Sequence, residues 1–471
     1  MEGGYGALFR RVLFPAYEAG LRRRGTVTHM DEYERSQWLT EEALAALQWQ
    51  KLQRLVEHCW NEVPYYRRSW GEAGITSHQD IRNLDDYAKL PVLTKADVRA
   101  NFDALHAPGH RAGLLYKTTG GSTAEPLTIG YTRESYERRI AVMHRGYAWA
   151  DALLGARALY FWGESLDGVP MKHRLMHRVF NRRMVNVFTM SDANMADYAD
   201  TLDAYRPQVV VGYVAPMVRL ARWLLENGRK VHVPSSVLCA AEPLHAHERK
   251  LLEEAFGCPV YNSYGCREVM LIASECGARD GLHINADHLC VELGQATRDS
   301  EHSHREVLIT DLHNYGMPLM RYANGDLATP MEGRCSCGRG LPRLAAIDGR
   351  TMDALRSPAG HFVGEYLEYL LFDTPGMLRF QAVQERIEVI EVSYVPGKGF
   401  DEASLEKISA RMRAAFGSEL SLVFRQADDI PLTATGKLRV AVSRLSALLV
   451  APLASVGESF ARLESALIAV A

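Results

Sequence analysis

The chain has 471 residues, too many for one ordinary hydrophobic core, so one large and one small domain are expected. With 47% apolar and 24% charged residues it has the balance of a folded chain, which excludes a disordered or fibrous protein, a disulfide scaffold and a membrane protein. The formal net charge of -3 gives no electrostatic ground for a nucleic-acid or anionic-membrane partner, and eight cysteines without an export signal point to reduced thiols in a cytoplasmic protein.

The opening run MEGGYGALFRRVLFPAYEAGLRRRG mixes basic and apolar residues without a long apolar stretch or a small-residue cleavage site, and reads as a helical start. From Asp31 to Ala73, Leu and Trp recur at helical spacing up to the turn NEVPYYRRSW, so residues 1 to about 85 are expected to form a helical cap. From Leu90 the pattern changes to short apolar runs between glycines and prolines: LPVLTKADV, LLYKTTGGSTAEPLTIGYT and ALYFW. PQVVVGYV, VPSSVLCAAEPL and CPVYNSYG repeat a rhythm of strand then turn between helical patterns, which predicts an α/β domain with parallel-rich sheets. Near Gly349 a second region begins, with the alternating strand RIEVIEVSYVP, the amphipathic helix DEASLEKISARMRAAFG and the strand LSLVFRQADDIPLTATGK. These define a large domain over 1–349 and a small α+β domain over 350–445. The tail 446–471 is rich in Ala and Leu, but Pro452, Glu458, Arg462 and Glu464 interrupt it, so it suits an amphipathic terminal helix and not a membrane span.

The segment TTGGSTAEP, Thr118 to Pro126, sets hydroxyl side chains and two glycines in a turn between apolar runs. Such a loop presents backbone N–H groups and hydroxyls to a phosphate, although no GKS or GKT follows as in a Walker A loop. A polar surface turn is the plain alternative.

The run Thr119, Gly120, Gly121, Ser122, Thr123 and on to Pro126 resembles the Thr/Ser/Gly-rich phosphate loop of the adenylate-forming superfamily, which holds acyl-CoA synthetases, nonribosomal adenylation domains and luciferases. Ala124 stands where that loop has its last glycine. Further segments resemble the family's in the same order. AAEPL, with Ala240, Ala241 and Glu242, and NSYGCREV, with Asn262, Ser263, Tyr264, Gly265 and Glu268, resemble the segments on the adenine and Mg²⁺ side of the site. The resemblance implies that Tyr264 holds the nucleotide and Glu268 the metal, and Mg²⁺ does favour one or two carboxylates with phosphate oxygens. In LITDLHNYGMPLMRYANGDLA it assigns the ribose hydroxyls to Asp326, with Asn324 in place of a Thr. IDGRTMDAL resembles the hinge motif, placing Arg350 at the ribose and Met352 and Asp353 where relatives carry two aspartates. PLTATGKLR resembles the C-terminal loop whose lysine enters the site, here Lys437. VPYYRR, MPLMRY and CSCGR are similar to features of the phenylacetate-CoA ligase and CapK-like branch.

CSCGR also raises a metal question. Cys335 and Cys337, with Cys276 and His283 of ECGARDGLH, would complete a closed tetrahedral Zn²⁺ site of structural type. Buried thiols are the alternative, and His288 and Cys290 are competing ligands.

The resemblance thus implies activation of a carboxylic acid by Mg-ATP to acyl-AMP and pyrophosphate, catalysed by Lys437, Glu268 and Thr119, with a mobile small domain turning about Arg350 before acyl transfer. The acceptor is CoA or, in the CapK-like alternative, a carrier-protein thiol, an amine or a hydroxyl. A nucleotide-binding pseudoenzyme is the remaining reading. Tyr213, Ala240 and Tyr264 are candidates for the acyl pocket, and the chain is expected to act as a monomer or homodimer.

Overall fold

The computed structural model describes residues 4–118, 127–162, 171–187, 189–296, 305–350, 355–358, 363, 367, 370–371, 374–430 and 440–445. The chain divides into two compact units. The first comprises Met1–Gly294, Val307–Asn324 and Pro330–Ile347, and the second Gln295–Glu306, Gly325–Thr329 and Asp348–Ala471.

The first unit opens with helical turns from 4 to 21, two stretches of which, Phe9–Leu13 and Ala16–Leu21, are wound as π-helix. Helices α1 (Thr26–Ser36), α2 (Glu41–Glu62) and α3 (Pro64–Glu72) follow. Thr40 starts α2 by accepting the Ala43 N–H, and Leu44, Leu52, Leu55, Val56 and Cys59 line its buried face at helical spacing. The segment VPYYRR corrects the expectation of a turn: Pro64 takes the first position of α3, where no N–H is needed, while Val63 is extended and ends α2. Tyr65, Tyr66 and Trp70 then pack into the core.

Strands β1 (Leu115–Thr118) and β2 (Thr128–Tyr131) pair antiparallel, and 119–126, the expected phosphate loop, lies outside the described residues. Helix α4 (Arg133–Ala148) leads into β3 (Ala158–Trp162), α5 (Met171–Val179), β4 (Arg182–Asn186), α6 (Met195–Tyr205), β5 (Val209–Tyr213), α7 (Val214–Glu226), β6 (Ser236–Ala240), α8 (Ala246–Phe256) and β7 (Val260–Cys266). Strands β4, β3, β5, β6 and β7 are neighbours in that order, all parallel. The VVV run of β5 has no polar alternation because both faces are covered: Val210 packs with α7 residues such as Met217, while Val209 and Val211 pack with Ala150 and Ala152. The sheet continues through β8 (Met270–Glu275), β9 (Leu282–Ile284), β10 (Leu289–Ala296), β11 (Arg305–Asp311), β12 (Tyr322–Met331) and β13 (Arg343–Arg350), in the order β10-β11-β12-β13-β9-β8-β7-β6-β5-β3-β4. Beyond β7 the pairings β7-β8, β8-β9 and β9-β13 are antiparallel.

In the second unit β14 (Met377–Arg386), β15 (Val389–Pro396), α9 (Ala403–Phe416), β16 (Ser421–Gln426) and β17 (Ala441–Ser443) build a four-stranded sheet ordered β16-β15-β14-β17. Leu405, Ile408 and Met412 bury one stripe of α9 in the same cluster as Phe380, Ile390 and Val392 of the sheet. The tail 446–471 falls outside the described residues. Among those described, no helix is long and apolar enough to cross a membrane.

Candidate active site

In an open α/β sheet a ligand binds beyond the carboxyl ends of the parallel strands, and two of the segments singled out in the sequence, AAEPL after β6 and NSYG on β7, lie there. Tyr213 ends β5 and stands in register with Ala240, the last residue of β6, while Cys239 is in register with Asn262 of β7. Ser263 Oγ donates to the Cys239 carbonyl at 2.9 Å, tying the NSYG run to the strand that leads into AAEPL. Tyr213 packs its ring 4.4 Å from that of Trp162, a neighbour of this acyl-pocket candidate that the sequence did not single out. Ala241 adopts φ +69, a left-handed conformation uncommon for a residue with a Cβ, and strain of this kind concentrates where the backbone is held for a purpose. The Glu242 carboxylate accepts the Ala215 N–H at 2.8 Å and so serves the start of α7. Asn262 and Ser263 are buried, and Tyr264 Oη accepts from Asn324 Nδ2 at 2.8 Å, giving the residue in the place of a Thr a direct role in holding that tyrosine.

Glu268 sits in the connection between β7 and β8. A Cβ at Gly265 would meet the Met270 carbonyl oxygen at 2.3 Å, so only glycine allows the two strands to approach there. The Glu268 side chain is buried, and Tyr322 Oη donates to its Oε1 at 2.9 Å. Arg139 Nη1 donates to the Glu268 carbonyl at 2.6 Å. The same guanidinium meets Asp311 Oδ2 through Nε at 3.1 Å and Nη2 at 2.6 Å, lies 4.8 Å from the Tyr131 ring centre, and is as buried as Asp311. Arg139, Asp311 and Tyr322 escaped sequence reasoning. Asp311 and Tyr322 do lie within the quoted run LITDLHNYGMPLMRYANGDLA, and Tyr322 closes MPLMRY, but neither was assigned a role.

The other expected site residues are distributed differently. Thr119, Gly120, Gly121, Ser122, Thr123 and Lys437 lie outside the described residues. Asp326 on β12 and Arg350 at the end of β13 belong to the second unit.

The cysteine and histidine candidates come together. One ligand atom each from Cys276, His283, Cys335 and Cys337 lies within 4.8 Å of all the others. Cys276 Sγ is 3.7 Å from Cys335 Sγ, and Cys337 Sγ is 3.4 Å from His283 Nε2. A tetrahedral zinc with Zn–S near 2.3 Å and Zn–N near 2.05 Å has S···S edges of about 3.8 Å and S···N edges of about 3.5 Å, so the spacing fits. His283 Nδ1 meets the Leu341 carbonyl at 3.2 Å, which turns Nε2 toward the thiols, and burial pushes its pKa down to about 4, leaving the ring neutral. His288 is bonded through Nδ1 to Tyr33 Oη at 2.9 Å, and Cys290 packs among apolar side chains, so neither competing ligand joins the group.

Known proteins give this geometry a setting. Residues 355–444 match the CapK C-terminal domain family. The fold is that of the adenylate-forming CoA ligases: a 2-hydroxyisobutyryl-CoA ligase, solved in the postadenylation state with 2-HIB-AMP, superposes with a TM-score of 0.69 at 18% identity, covering 93% of this chain and 94% of that one. In sequence the chain is similar to phenylacetate-coenzyme A ligases and to CapK. It is 29% identical to the phenylacetate-coenzyme A ligase of Thermus thermophilus over 329 residues, 67% of this chain and 72% of that protein. It is 25% identical to Protein CapK of Staphylococcus aureus over 366 residues, 76% of this chain and 80% of that protein.

Proposed function

We propose that the chain is an AMP-forming acid–thiol ligase that activates a carboxylic acid with ATP and passes the acyl group to CoA. The observation that carries this reading is the convergence of Ala240–Leu244, Asn262–Val269 and Tyr322–Asn324 in the first unit, in a chain related over two thirds of its length to phenylacetate-coenzyme A ligases. In the proposed reaction the carboxylate attacks the α-phosphorus of ATP and pyrophosphate leaves. The protein's work is positioning and charge neutralisation. Tyr264, held by Asn324, packs the nucleotide, Asp326 and Arg350 hold the ribose, the 119–123 loop binds the phosphates, and Lys437 meets the negative charge gathering at the α-phosphate. Glu268, an oxygen donor anchored by Tyr322 and Arg139, suits Mg²⁺, which when bound neutralises phosphate charge. Domain motion about the Arg350 region then opens the path for the acceptor. The Cys276, His283, Cys335 and Cys337 group is assigned to a structural zinc, since four protein ligands leave no position for substrate.

A second reading, raised by the CapK-like resemblance, is transfer to a carrier-protein thiol, an amine or a hydroxyl; the match of 355–444 to the CapK C-terminal domain keeps that resemblance in view but names no acceptor. One experiment separates the two. Pyrophosphate release from Mg-ATP is measured across aryl, aliphatic and amino acids, each with and without CoA. A CoA thioester seen by mass spectrometry supports the first reading. Release that ends in bound acyl-AMP despite CoA supports the second, and the absence of both release and ATP binding overturns the ligase assignment.

A further inference from the structure

The whole-chain charge of -3 conceals a local asymmetry. Residues 4–25 hold five arginines and a single acid, Glu18, which is buried against Arg24 and Thr26. Residues 171–183, MKHRLMHRVFNRR, hold basic residues and no acid at all. The two segments are neighbours: Tyr5 Oη donates to the Val179 carbonyl at 2.6 Å, and Phe180 meets the rings of Phe9 and Phe14 edge-on at 5.1 and 6.1 Å.

Their inner faces account for the buried residues Phe9 and Phe14, yet their outer faces are apolar too. Seven of the sixteen large apolar side chains that stand well exposed among the described residues lie here. Leu8 is 50% exposed, Val12 53%, Leu21 75% and Leu175 59%, with Tyr5, Leu13 and Val179 beside them. The winding explains the stripe: with two π-helical stretches the helical repeat widens, and Leu8, Val12 or Leu13, Ala16 and Leu21 fall on the side away from Phe9, Phe14 and Glu18. Arg11, Arg22, Arg23, Arg174 and Arg178, on the same two segments, are exposed as well.

We propose that this two-helix face is a docking surface for an anionic phospholipid bilayer, on which the protein rests without crossing it. An apolar strip of this extent has a cost in water, and a helix that lies in an interface buries its strip at the boundary between headgroups and acyl chains. Exposed arginines on the same segments, with no exposed acid on either, complement negatively charged headgroups. A nucleic acid would use the arginines but gain nothing from aliphatic side chains such as Leu8 and Val12.

Co-sedimentation of the full chain with phosphatidylcholine vesicles, with and without phosphatidylglycerol, tests this. Binding is expected only to the anionic vesicles, weakening as salt rises. Arg11→Glu with Arg23→Glu should lower the apparent affinity roughly tenfold or more. Leu8→Glu with Val12→Glu should abolish binding while the thermal unfolding transition stays in place, because both side chains are exposed in the folded state. No binding to anionic vesicles overturns the proposal. So does sedimentation-velocity evidence that the Leu8→Glu, Val12→Glu pair dissociates a dimer, or that it leaves vesicle binding intact.

Discussion

Glu268 shows how a residue's surroundings define it. In the sequence it is one carboxylate among 57 acidic residues, set apart only by the YGCRE motif. In the fold its carbonyl is gripped by Arg139 and its carboxylate by Tyr322. Tyr322→Phe should leave the fold intact but cost the carboxylate a hydrogen bond inside a buried site, a loss of about 1 to 3 kcal/mol in holding Glu268. The measurable consequence is an ATP–pyrophosphate exchange rate reduced by about tenfold at limiting Mg²⁺ and partly restored at high Mg²⁺; an unchanged Mg²⁺ dependence would deny Tyr322 this positioning role. Lys437→Ala should abolish acyl-AMP formation, with pyrophosphate release falling by about a hundredfold or more, and unchanged activity would remove Lys437 from the mechanism. Glu268 was legible because its motif has a recognisable order of residues. Arg139 was not, because Arg138 beside it is the same residue type, and only burial separates the first, paired with Asp311 in the core, from the second, paired with Glu32 and Glu134 nearer the surface.

At the level of elements, the start of α8 carries a titrating group. Glu248 caps the helix by accepting the His245 N–H at 3.0 Å, but burial, aided by the nearby Glu242, raises its pKa from 4.5 to about 7. An acid whose folded pKa is raised contributes stability that is present in full below pH 4.5 and is lost as the pH rises through 7. Glu248→Gln keeps an acceptor and removes the titration, so the variant should gain on the parent between pH 5 and 8 by on the order of 2 to 3 kcal/mol in urea unfolding. An identical pH profile for both proteins would show that Glu248 is not the titrating group. The connection between β12 and β13 makes a different demand. Cys335 and Cys337 join Cys276, after β8, and His283, on β9, across more than fifty residues of sequence. Elemental analysis should find one zinc per chain, and a strong chelator or Cys335→Ser should lower the melting temperature without changing the substrate preference of what remains folded. A metal-free protein of unchanged stability would leave the four as buried thiols and an imidazole. The sequence brought these candidates forward but left His288 and Cys290 open, because ligand choice depends on which strands meet.

Over the whole first unit, the helices of the amino-terminal region are fastened by charge as well as by apolar packing. Arg145 of α4 forms a two-pronged pair with Asp287, and also donates to the Tyr33 carbonyl on α1 at 2.8 Å and to Asn285 Oδ1 at 2.7 Å, while Ser36 on α1 donates to the same aspartate. Both charges are buried, so Asp287→Asn leaves a guanidinium without its counter-charge and should cost about 3 to 5 kcal/mol in urea unfolding. A loss under 1 kcal/mol, about the value of a surface pair, would mean that water reaches the site. The sequence by itself determined the class of fold, because apolar periodicity follows directly from which faces are buried, and it put forward the segments proposed for the site through their resemblance to known motifs. It also determined the order of strand, helix and strand in the small domain. Only the tertiary structure decided that Glu242 caps α7, that Arg139 and Tyr322 hold Glu268, and that four distant sulfur and nitrogen ligands meet. Each of these depends on contacts between residues far apart in the chain, and no local pattern records a partner that folding brings from elsewhere.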